Sequence, residues 1–233
     1  MSNNTFHIFI IPDGNRRFAK LKGLSSHKGH LAGYGALKNI LKNIWGHDVT
    51  HFTFWALSLD NVKKRTPKEI EYLFKILATG AKELKESKEF RERKIRFRLA
   101  GSFKDFLPPQ VVSKFYELEN ETKYNAGPVF TLLLAYDGVK EMGEAIEAIR
   151  QKLGKTEGQI KELLSDNLQT GFLPPVDLMI RTGGEPHLSA GALMWQMQNA
   201  HLYFTETLWP DFSMEELSKA INDVKNRERR FGS

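Results

Sequence analysis

The residues best suited to chemistry follow an apolar run near the start of the sequence. Ile8–Ile11 is typical of a buried strand, and Asp13, Gly14, Arg16 and Arg17 come soon after it. Guanidinium groups are forked donors for phosphate oxygens, and glycine lets the backbone approach a ligand closely. A carboxylate repels phosphate unless a cation lies between them. The pattern therefore predicts a phosphate site with Mg²⁺, which one or two carboxylates and substrate phosphates commonly hold; an Asp-Gly turn with exposed arginines is the alternative.

Two further polar loops follow apolar runs. The run 51–57 precedes a Ser, an Asp and an Asn within 58–61, which alone would indicate a turn and a helix cap. The run 176–180 precedes an arginine, two adjacent glycines and a serine within 181–189. Paired glycines can expose backbone N–H groups to an anion. Because ligands of open α/β sheets bind beyond the carboxyl ends of strands, these loops predict two anionic substrates side by side.

The elements that would position these loops alternate along the chain. Strands are expected at 6–11, 51–57, 95–100, 129–135 and 176–180, and helices at 31–45, 67–88, 110–125, 140–153, 159–167 and 213–229. This alternation predicts an α/β fold with a mainly parallel sheet flanked by helices. No repeat or linker divides the sequence, so we expect one domain over residues 1–233.

Composition excludes several classes of protein. The 233 residues include 34 Lys+Arg, 28 Asp+Glu and no cysteine, which excludes disulfides, thiolate nucleophiles and cysteine-held metals. No secretory signal or spanning apolar segment is evident, so a soluble, cytoplasmic protein is expected. The positive charge favours anionic partners. A nucleic-acid-binding module would need a reader fold or interleaved aromatic and basic residues, and neither is found, so no nucleic-acid partner is expected.

The ordered motifs resemble those of the cis-prenyltransferases, the undecaprenyl diphosphate synthase family. They are Asp-Gly-Asn-x-Arg at 13–17, Gly-His-x-Ala-Gly at 29–33, Ser-x-Asp-Asn at 58–61, Tyr-Asp-Gly at 136–138, Val-Asp-Leu-Met-Ile-Arg-Thr-Gly-Gly-Glu at 176–185, Leu-Tyr-Phe-Thr at 202–205, Leu-Trp-Pro-Asp-Phe at 208–212 and Arg-Glu-Arg-Arg-Phe-Gly at 227–232. The resemblance implies a single α/β domain with a hydrophobic tunnel, and a homodimer. It also implies Mg²⁺-dependent condensation of isopentenyl diphosphate with an allylic diphosphate, such as farnesyl diphosphate, to a cis-polyprenyl diphosphate.

Position by position, the resemblance implies two catalytic residues. Asp13 would hold Mg²⁺, and Asn61 would help to remove the proton from isopentenyl diphosphate. Arg65 would contact the allylic diphosphate, and Arg181 would contact isopentenyl diphosphate. The implied substrate-binding residues are Gly14, Asn15, Arg16, Arg17, Phe18, Ser26, His30, Ser58, Leu59, Asp60, Val62, Arg65, Arg181, His187, Leu188, Ser189, Arg227 and Arg229.

Three departures from the family pattern concern the substrates. Val62 replaces a usual aromatic residue, and an apparent insertion after it leaves either Lys64 or Arg65 as the phosphate contact. Ser26 stands where the family has an arginine, and His27 or Lys28 could substitute for it. His187 replaces another arginine, so a permanently charged fork becomes a group that is largely neutral near pH 7.

The fourth departure concerns the metal. The family commonly has a glutamate before Leu-Tyr-Phe as a second Mg²⁺ ligand given across the dimer, and this chain has His201. Mg²⁺ prefers oxygen ligands, which Glu185 or Glu206 could supply instead. His201 is retained as a candidate metal ligand. A noncatalytic or weakly active subunit and an irregular terpene diphosphate synthase are the alternative interpretations.

The product chain adds two expectations. The candidate wall residues of the tunnel are Leu73, Phe74, Leu77, Phe130 and Leu132. Long prenyl products must leave into lipid, so peripheral membrane contact is expected, and the basic surface would assist it.

Overall fold

The computed structural model describes residues 5–150, 157–189 and 191–226. Its strands are β1 (His7–Ile11), β2 (His51–Ser58), β3 (Arg96–Ala100), β4 (Val129–Tyr136), β5 (Leu178–Arg181) and β6 (His201–Phe204). Its α-helices are α1 (Asn15–Leu21), α2 (Ser26–Asn43), α3 (Leu59–Lys64), α4 (Pro67–Glu86), α5 (Lys88–Glu92), α6 (Pro109–Thr122), α7 (Gly138–Arg150), α8 (Glu157–Asn167) and α9 (Met214–Asn226). No helix among these residues is long and apolar enough to cross a membrane.

The strands form one parallel sheet in the order β3-β4-β2-β1-β5-β6. All five residues of β1 are buried, as expected of a central parallel strand with both faces covered. This arrangement confirms the predicted α/β class. Because the strands run in one direction, the loops after β1, β2 and β5 meet at the same edge, here called the carboxyl edge.

Alternate residues of the strands pack into two apolar clusters on opposite faces of the sheet. Ile8 and Ile10 belong to the larger cluster, which α2, α4, α6 and α9 cover. The rings of Phe52 and Phe130 stack within it, with centroids 5.5 Å apart. Phe9 points to the second cluster. The period-two alternation of a strand explains this division.

The structure adds the short helices α3 and α5 to the sequence prediction, and it differs from the prediction at a strand and at a helix start. β6 was not expected as a strand, because its four half-exposed residues at the sheet edge are too few for a recognisable alternation. Helix α2 begins at Ser26 rather than at residue 31. Its first turns bury Gly29 and Gly33 instead of large apolar side chains, so the expected helical pattern of apolar residues is missing there.

Helix α2 packs closely on the start of α1 through a glycine. A methyl group on Gly33 would collide with the side-chain amide of Asn15 and lie 2.9 Å from the Trp209 ring. The Trp209 indole N–H donates a 2.8 Å hydrogen bond to the Gly33 carbonyl. The close approach therefore fixes Asn15 and Trp209 beside the loop that follows β1.

We expect Gly33→Ala to lower the free energy of unfolding by about 1–3 kcal/mol, the usual cost of overpacking. Gly35→Ala in the same helix is the matched control, because a methyl group there meets nothing within 4 Å. Since alanine favours helices, Gly35→Ala should stabilise the protein by up to about 1 kcal/mol. Urea unfolding measures both variants, and a Gly33→Ala protein as stable as the wild type would contradict the close packing.

A second stability prediction concerns the buried imidazole of His7. Its Nδ1–H donates to the Pro174 carbonyl and its Nε2 accepts from the Thr53 hydroxyl, each at 2.9 Å. Burial lowers the pKa of His7 from 6.5 to about 3. Below pH 6.5 the unfolded chain therefore takes up a proton that the folded chain refuses until about pH 3.

The free energy of unfolding should fall as the pH decreases through that window, by up to about 1.4 kcal/mol per pH unit from His7. The variant His7→Gln cannot titrate and should show a smaller slope. His187→Gln removes an exposed imidazole and serves as the control. Equal slopes for wild type and His7→Gln in urea unfolding between pH 3 and pH 7 would rule out this source of acid sensitivity.

Candidate active site

A polar pocket of about 330 Å³ opens at the carboxyl edge of the sheet. The loops after β1, β2 and β5 form it, as the sequence predicted. The expected site residues that line it are Asp13, Gly14, Asn15, Arg16, Arg17, His30, Ser58, Asp60, Asn61, Arg65, Arg181 and Ser189. The strand-end residues Ile11, Pro12, Trp55 and Ala56 also line it and were not among the expected site residues.

Asp13 is held through both its backbone and its carboxylate. Its carbonyl oxygen accepts hydrogen bonds from the Thr182 hydroxyl at 2.7 Å and the Trp209 backbone N–H at 2.9 Å. Its carboxylate oxygens lie 3.0 Å from Arg181 Nη2 and 3.4 Å from Arg17 Nη2. The side chain remains 37% exposed, so it is fixed and still accessible to a ligand.

Arg181 is the buried cation of the pocket, with a side chain only 6% exposed. Besides contacting Asp13, it donates through Nη1 to the His187 carbonyl at 2.8 Å and to Ser189 Oγ at 2.5 Å. Its buried Nε–H has no acceptor among the described residues. The guanidinium thus fixes the loop after β5 against the loop after β1.

A second cluster of polar side chains, formed by His30, Arg65 and Glu69, lies where α2 and α4 border the pocket. His30 Nε2 is 3.0 Å from a Glu69 carboxylate oxygen and 3.2 Å from Arg65 Nη1, and that oxygen lies 3.4 Å from Arg65. Burial lowers the pKa of His30; the hydrogen bond that His30 donates to Glu69 opposes this shift, and the charge of Arg65 adds to it. A neutral imidazole can use Nε2 toward only one of these partners at a time.

Sequence reasoning missed Glu69, although a signal was present. Thr66 and Glu69 have the spacing of a capping box at the start of a helix. Thr66 Oγ1 does accept a hydrogen bond from the Glu69 backbone N–H at 3.3 Å. The Glu69 carboxylate instead contacts Arg65 and His30, so a residue in the first turn of α4 also holds two pocket side chains.

The loop after β2 places Lys64 and Arg65 differently. Lys64 is not among the residues that line the pocket; its side chain is 75% exposed and lies 2.9 Å from Asp60, whereas Arg65 lines the pocket. Ser58 caps α3 by accepting a 3.1 Å hydrogen bond from the Asn61 backbone N–H. The Asn61 side-chain amide lines the pocket and makes no hydrogen bond within the described part of the chain.

The prediction of an anion-binding pair of N–H groups after β5 was wrong. The Gly183 and Gly184 N–H groups donate to the backbone carbonyls of Thr207 and Thr205, each at 2.8 Å. Both glycines have positive φ angles, of 87° and 69°. A methyl group on Gly183 would lie 2.6 Å from Arg17 Nη2. These glycines therefore allow close loop packing and leave no free N–H pair for an anion.

Several other expected residues do not line the pocket. Leu59 is buried and Val62 packs against the larger apolar cluster. Ser26, His187 and Leu188 are exposed, although the His187 carbonyl holds Arg181. Phe18 is half-buried in α1 and also lies outside the pocket lining. Arg227 and Arg229 fall outside the described residues.

His201 lies at the opposite end of the sheet from Asp13. It pairs with Leu178 at the start of β5, and Leu178 in turn pairs with Ile8 of β1. Five residues of extended chain separate Ile8 from Asp13, a distance of roughly 16 Å. His201 and Asp13 of one chain therefore cannot share a metal ion. His201 could act as a ligand of that ion only from a second subunit.

An apolar cavity of about 90 Å³ adjoins the polar pocket. It lies between α2, α4 and the sheet, and Pro12, Asn15 and His30 line both spaces. Of the expected wall residues, it is lined by Leu73, Leu77, Phe130 and Leu132, and not by Phe74. A polar and an apolar compartment thus meet beside Asn15.

The surroundings of the Asp13 carboxylate suit a Mg²⁺ ion that enters the pocket bound to a substrate. Both carboxylate oxygens face cations, and one accessible carboxylate with bound phosphate oxygens is a usual Mg²⁺ environment. Within the described residues, no group of three or more His, Asp or Glu side chains could enclose a metal ion. The pocket therefore fits a substrate-borne ion and does not fit an ion held by the protein alone.

The pocket combines four arginines and an accessible carboxylate with an adjoining apolar cavity. This combination is typical of an α/β protein that binds diphosphate esters of apolar groups. Comparison with known proteins makes this class specific. The model of the prenyltransferase family described as undecaprenyl diphosphate synthase matches residues 11–232. The chain belongs to this family, and it is a transferase of isoprenoid diphosphate synthesis. The resemblance inferred from the ordered motifs is thus confirmed.

Individual relatives cover nearly the whole chain. The isoprenyl transferase of Treponema denticola is 36% identical over 100% of both chains. The farnesyl-diphosphate-specific ditrans,polycis-undecaprenyl-diphosphate synthase of Buchnera aphidicola is also 36% identical, over 97% of this chain and 90% of its own. The structure of lavandulyl diphosphate synthase from Lavandula x intermedia, solved with dimethylallyl diphosphate, has a TM-score of 0.87 and 31% identity, covering 97% of this chain and 98% of that one.

The different placements of Arg65 and Lys64 predict different binding of inorganic diphosphate. Arg65→Gln should raise the Kd about tenfold or more, because a charge-assisted contact in the pocket is lost. Lys64→Gln removes a neighbouring charge at the surface and is the matched control. Calorimetric titration at constant ionic strength measures both, with thermal unfolding to verify folding. Equal losses for the two variants would contradict the assignment.

Proposed function

We propose that this protein joins isopentenyl diphosphate to an allylic diphosphate, such as farnesyl diphosphate, and releases inorganic diphosphate. In this reaction the allylic C–O bond breaks, a C–C bond forms to isopentenyl diphosphate, and a proton leaves to give a cis double bond. The observation that carries the proposal is the accessible Asp13 carboxylate among four arginines, beside an apolar cavity.

The allylic diphosphate is proposed to lie between α1, α2 and Arg65. Arg16, Arg17 and Arg65 would bind its oxygens, with Asn15 and His30 at the junction with the apolar cavity. Negative charge develops on the departing diphosphate as the C–O bond breaks. The guanidinium groups that line the pocket would stabilise that charge, which lowers the barrier.

Isopentenyl diphosphate is proposed to lie on the other side of Asp13. Arg181 and Ser189 would bind its diphosphate, and Arg181 is already oriented by its contacts with the loop after β5. Asn61, with Ser58 and Asp60 beside it, would assist removal of the proton. The free Asn61 amide supports this assignment, because its hydrogen-bonding groups remain available to substrate.

Asp13 is proposed to hold Mg²⁺ on the allylic diphosphate. When bound, this ion would neutralise charge on the leaving group. Arg181 and Arg17 keep the Asp13 carboxylate in place without covering it.

The remaining assignments concern assembly and location. The half-exposed edge strand β6 supports a homodimer, in which His201 would approach the metal of the partner subunit. We place the protein in the cytoplasm, with peripheral contact to the membrane that receives the product. The positive net charge of +6 supports contact with anionic lipid.

A second candidate is the synthesis of a short, irregular terpene diphosphate. The small apolar cavity favours it, as does the likeness to the lavandulyl diphosphate synthase structure with dimethylallyl diphosphate. Product analysis separates the two candidates, since only the first requires isopentenyl diphosphate to be added repeatedly.

Labelled isopentenyl diphosphate should give an EDTA-sensitive cis-polyprenyl product when supplied with Mg²⁺ and geranyl, farnesyl or geranylgeranyl diphosphate. Asp13→Asn should lower kcat by about 10²-fold or more, because charge stabilisation at the leaving group is lost. Asp166→Asn, at an exposed position on α8, is the matched control and should retain wild-type turnover. Chromatography of the dephosphorylated products gives both rate and length.

Two results would count against this function. One is an absence of product from every primer with either Mg²⁺ or Mn²⁺. The other is an Asp13→Asn enzyme as active as Asp166→Asn, which would remove the proposed role of the carboxylate. A branched product from dimethylallyl diphosphate alone would instead select the second candidate.

A further inference from the structure

A surface groove of about 510 Å³ runs along the outer side of α2 and α4. Its walls include Leu31, Tyr34, Tyr72, Ile76 and Thr79. Two of these residues, Tyr34 and Ile76, also line the internal apolar cavity. Their side chains therefore separate the cavity from the groove.

Tyr34 is held in this wall by contacts at the protein surface. Its hydroxyl donates a 2.8 Å hydrogen bond to a Glu83 carboxylate oxygen, which lies 3.0 Å from Lys38 Nζ. Glu83 and Lys38 are 41% and 51% exposed, and ion pairs at such exposed positions contribute little to stability. The ring can therefore leave its place without stranding a buried charge.

The opposite helix leaves room for the Tyr34 ring. A methyl group on Gly80 of α4 would lie 3.3 Å from the ring, closer than such groups usually approach. Glycine at this position lets the ring lie directly on the α4 backbone. The wall between cavity and groove is thus one aromatic ring and one isoleucine thick.

The cavity is too small for the proposed elongation. At about 90 Å³ it is smaller than the roughly 150 Å³ cavity that holds a benzene molecule. Its inner walls include Phe115 and Phe130, which are at most 1% exposed and belong to the larger apolar cluster. The surface groove beyond Tyr34 and Ile76 offers space for further isoprene units, whereas the inner wall of the cavity is packed core.

We propose that the growing prenyl chain passes between α2 and α4 into the surface groove, and that Tyr34 is the gate that limits product length. This inference rests on the proposed polyprenyl synthesis. The groove suits an isoprenoid chain, because the apolar side chain of Ile76 and the edge of the Tyr72 ring line it. Leu31, 58% exposed, adds apolar surface that the chain would cover.

The cysteine-free sequence allows a direct test by selective blocking of the groove. Thr79→Cys places a thiol in the exposed groove for a bulky maleimide. Ser113→Cys, exposed on α6, is the matched control. Labelling of Thr79→Cys should shift the products to shorter chains than those of the same variant unlabelled, with the first condensation unaffected. Labelled Ser113→Cys should give wild-type lengths.

A second variant tests the gate without added bulk. Tyr34→Phe removes only the hydrogen bond to Glu83 and should shift the products to longer chains, because the ring is held less firmly. Tyr124→Phe, 86% exposed elsewhere, is the control and should give wild-type lengths. The same lengths for Tyr34→Phe and Tyr124→Phe would count against the gate.

The gate and the proposed function fail in different ways. If labelled Thr79→Cys elongates as far as the unlabelled variant, the lateral path is wrong while polyprenyl synthesis stands. If the wild type forms no product, or stops after one condensation with every primer, the proposed polyprenyl function fails and the gate fails with it.

Discussion

The ion pair between Asp13 and Arg181 connects the two strand ends on which the site depends. Ile11 of β1 and Arg181 of β5 are register partners, so the parallel sheet itself brings Asp13 within 3.0 Å of the guanidinium. Both partners have further contacts, with Arg17 on one side and Ser189 on the other. A buried cation without its carboxylate would be costly, which ties the stability of this edge to the groups proposed for catalysis.

The same sheet separates the polar and apolar parts of the proposed substrates. Helix ends and the end of β5 supply the arginines of the polar pocket, whereas the sheet face and the helices α2 and α4 supply the apolar cavity. Asn15 and His30 lie at the junction, and Glu69 links His30 and Arg65 to the first turn of α4. A diphosphate bound at the edge would therefore direct its hydrocarbon tail between the helices.

Much of this arrangement could be predicted from the sequence because apolar runs with polar ends identify strands and their loops. The α/β class and most pocket residues followed from that pattern. Strand β6 was not predicted, because its four half-exposed residues show little alternation of apolar and polar side chains. The N–H groups of Gly183 and Gly184 donate to the loop after β6, and local sequence does not show such a distant contact. Glu69 was missed because its contact with His30 joins residues 39 positions apart, which local sequence does not show.

The most direct test of the central claim is a crystal structure with an unreactive farnesyl thiodiphosphate, isopentenyl diphosphate and Mg²⁺. The account predicts one diphosphate against Arg16, Arg17 and Arg65, the other against Arg181, and the ion on Asp13. The farnesyl tail should enter the apolar cavity beside Asn15. Diphosphates bound away from the carboxyl edge, with Asp13 still paired only to protein groups, would contradict it.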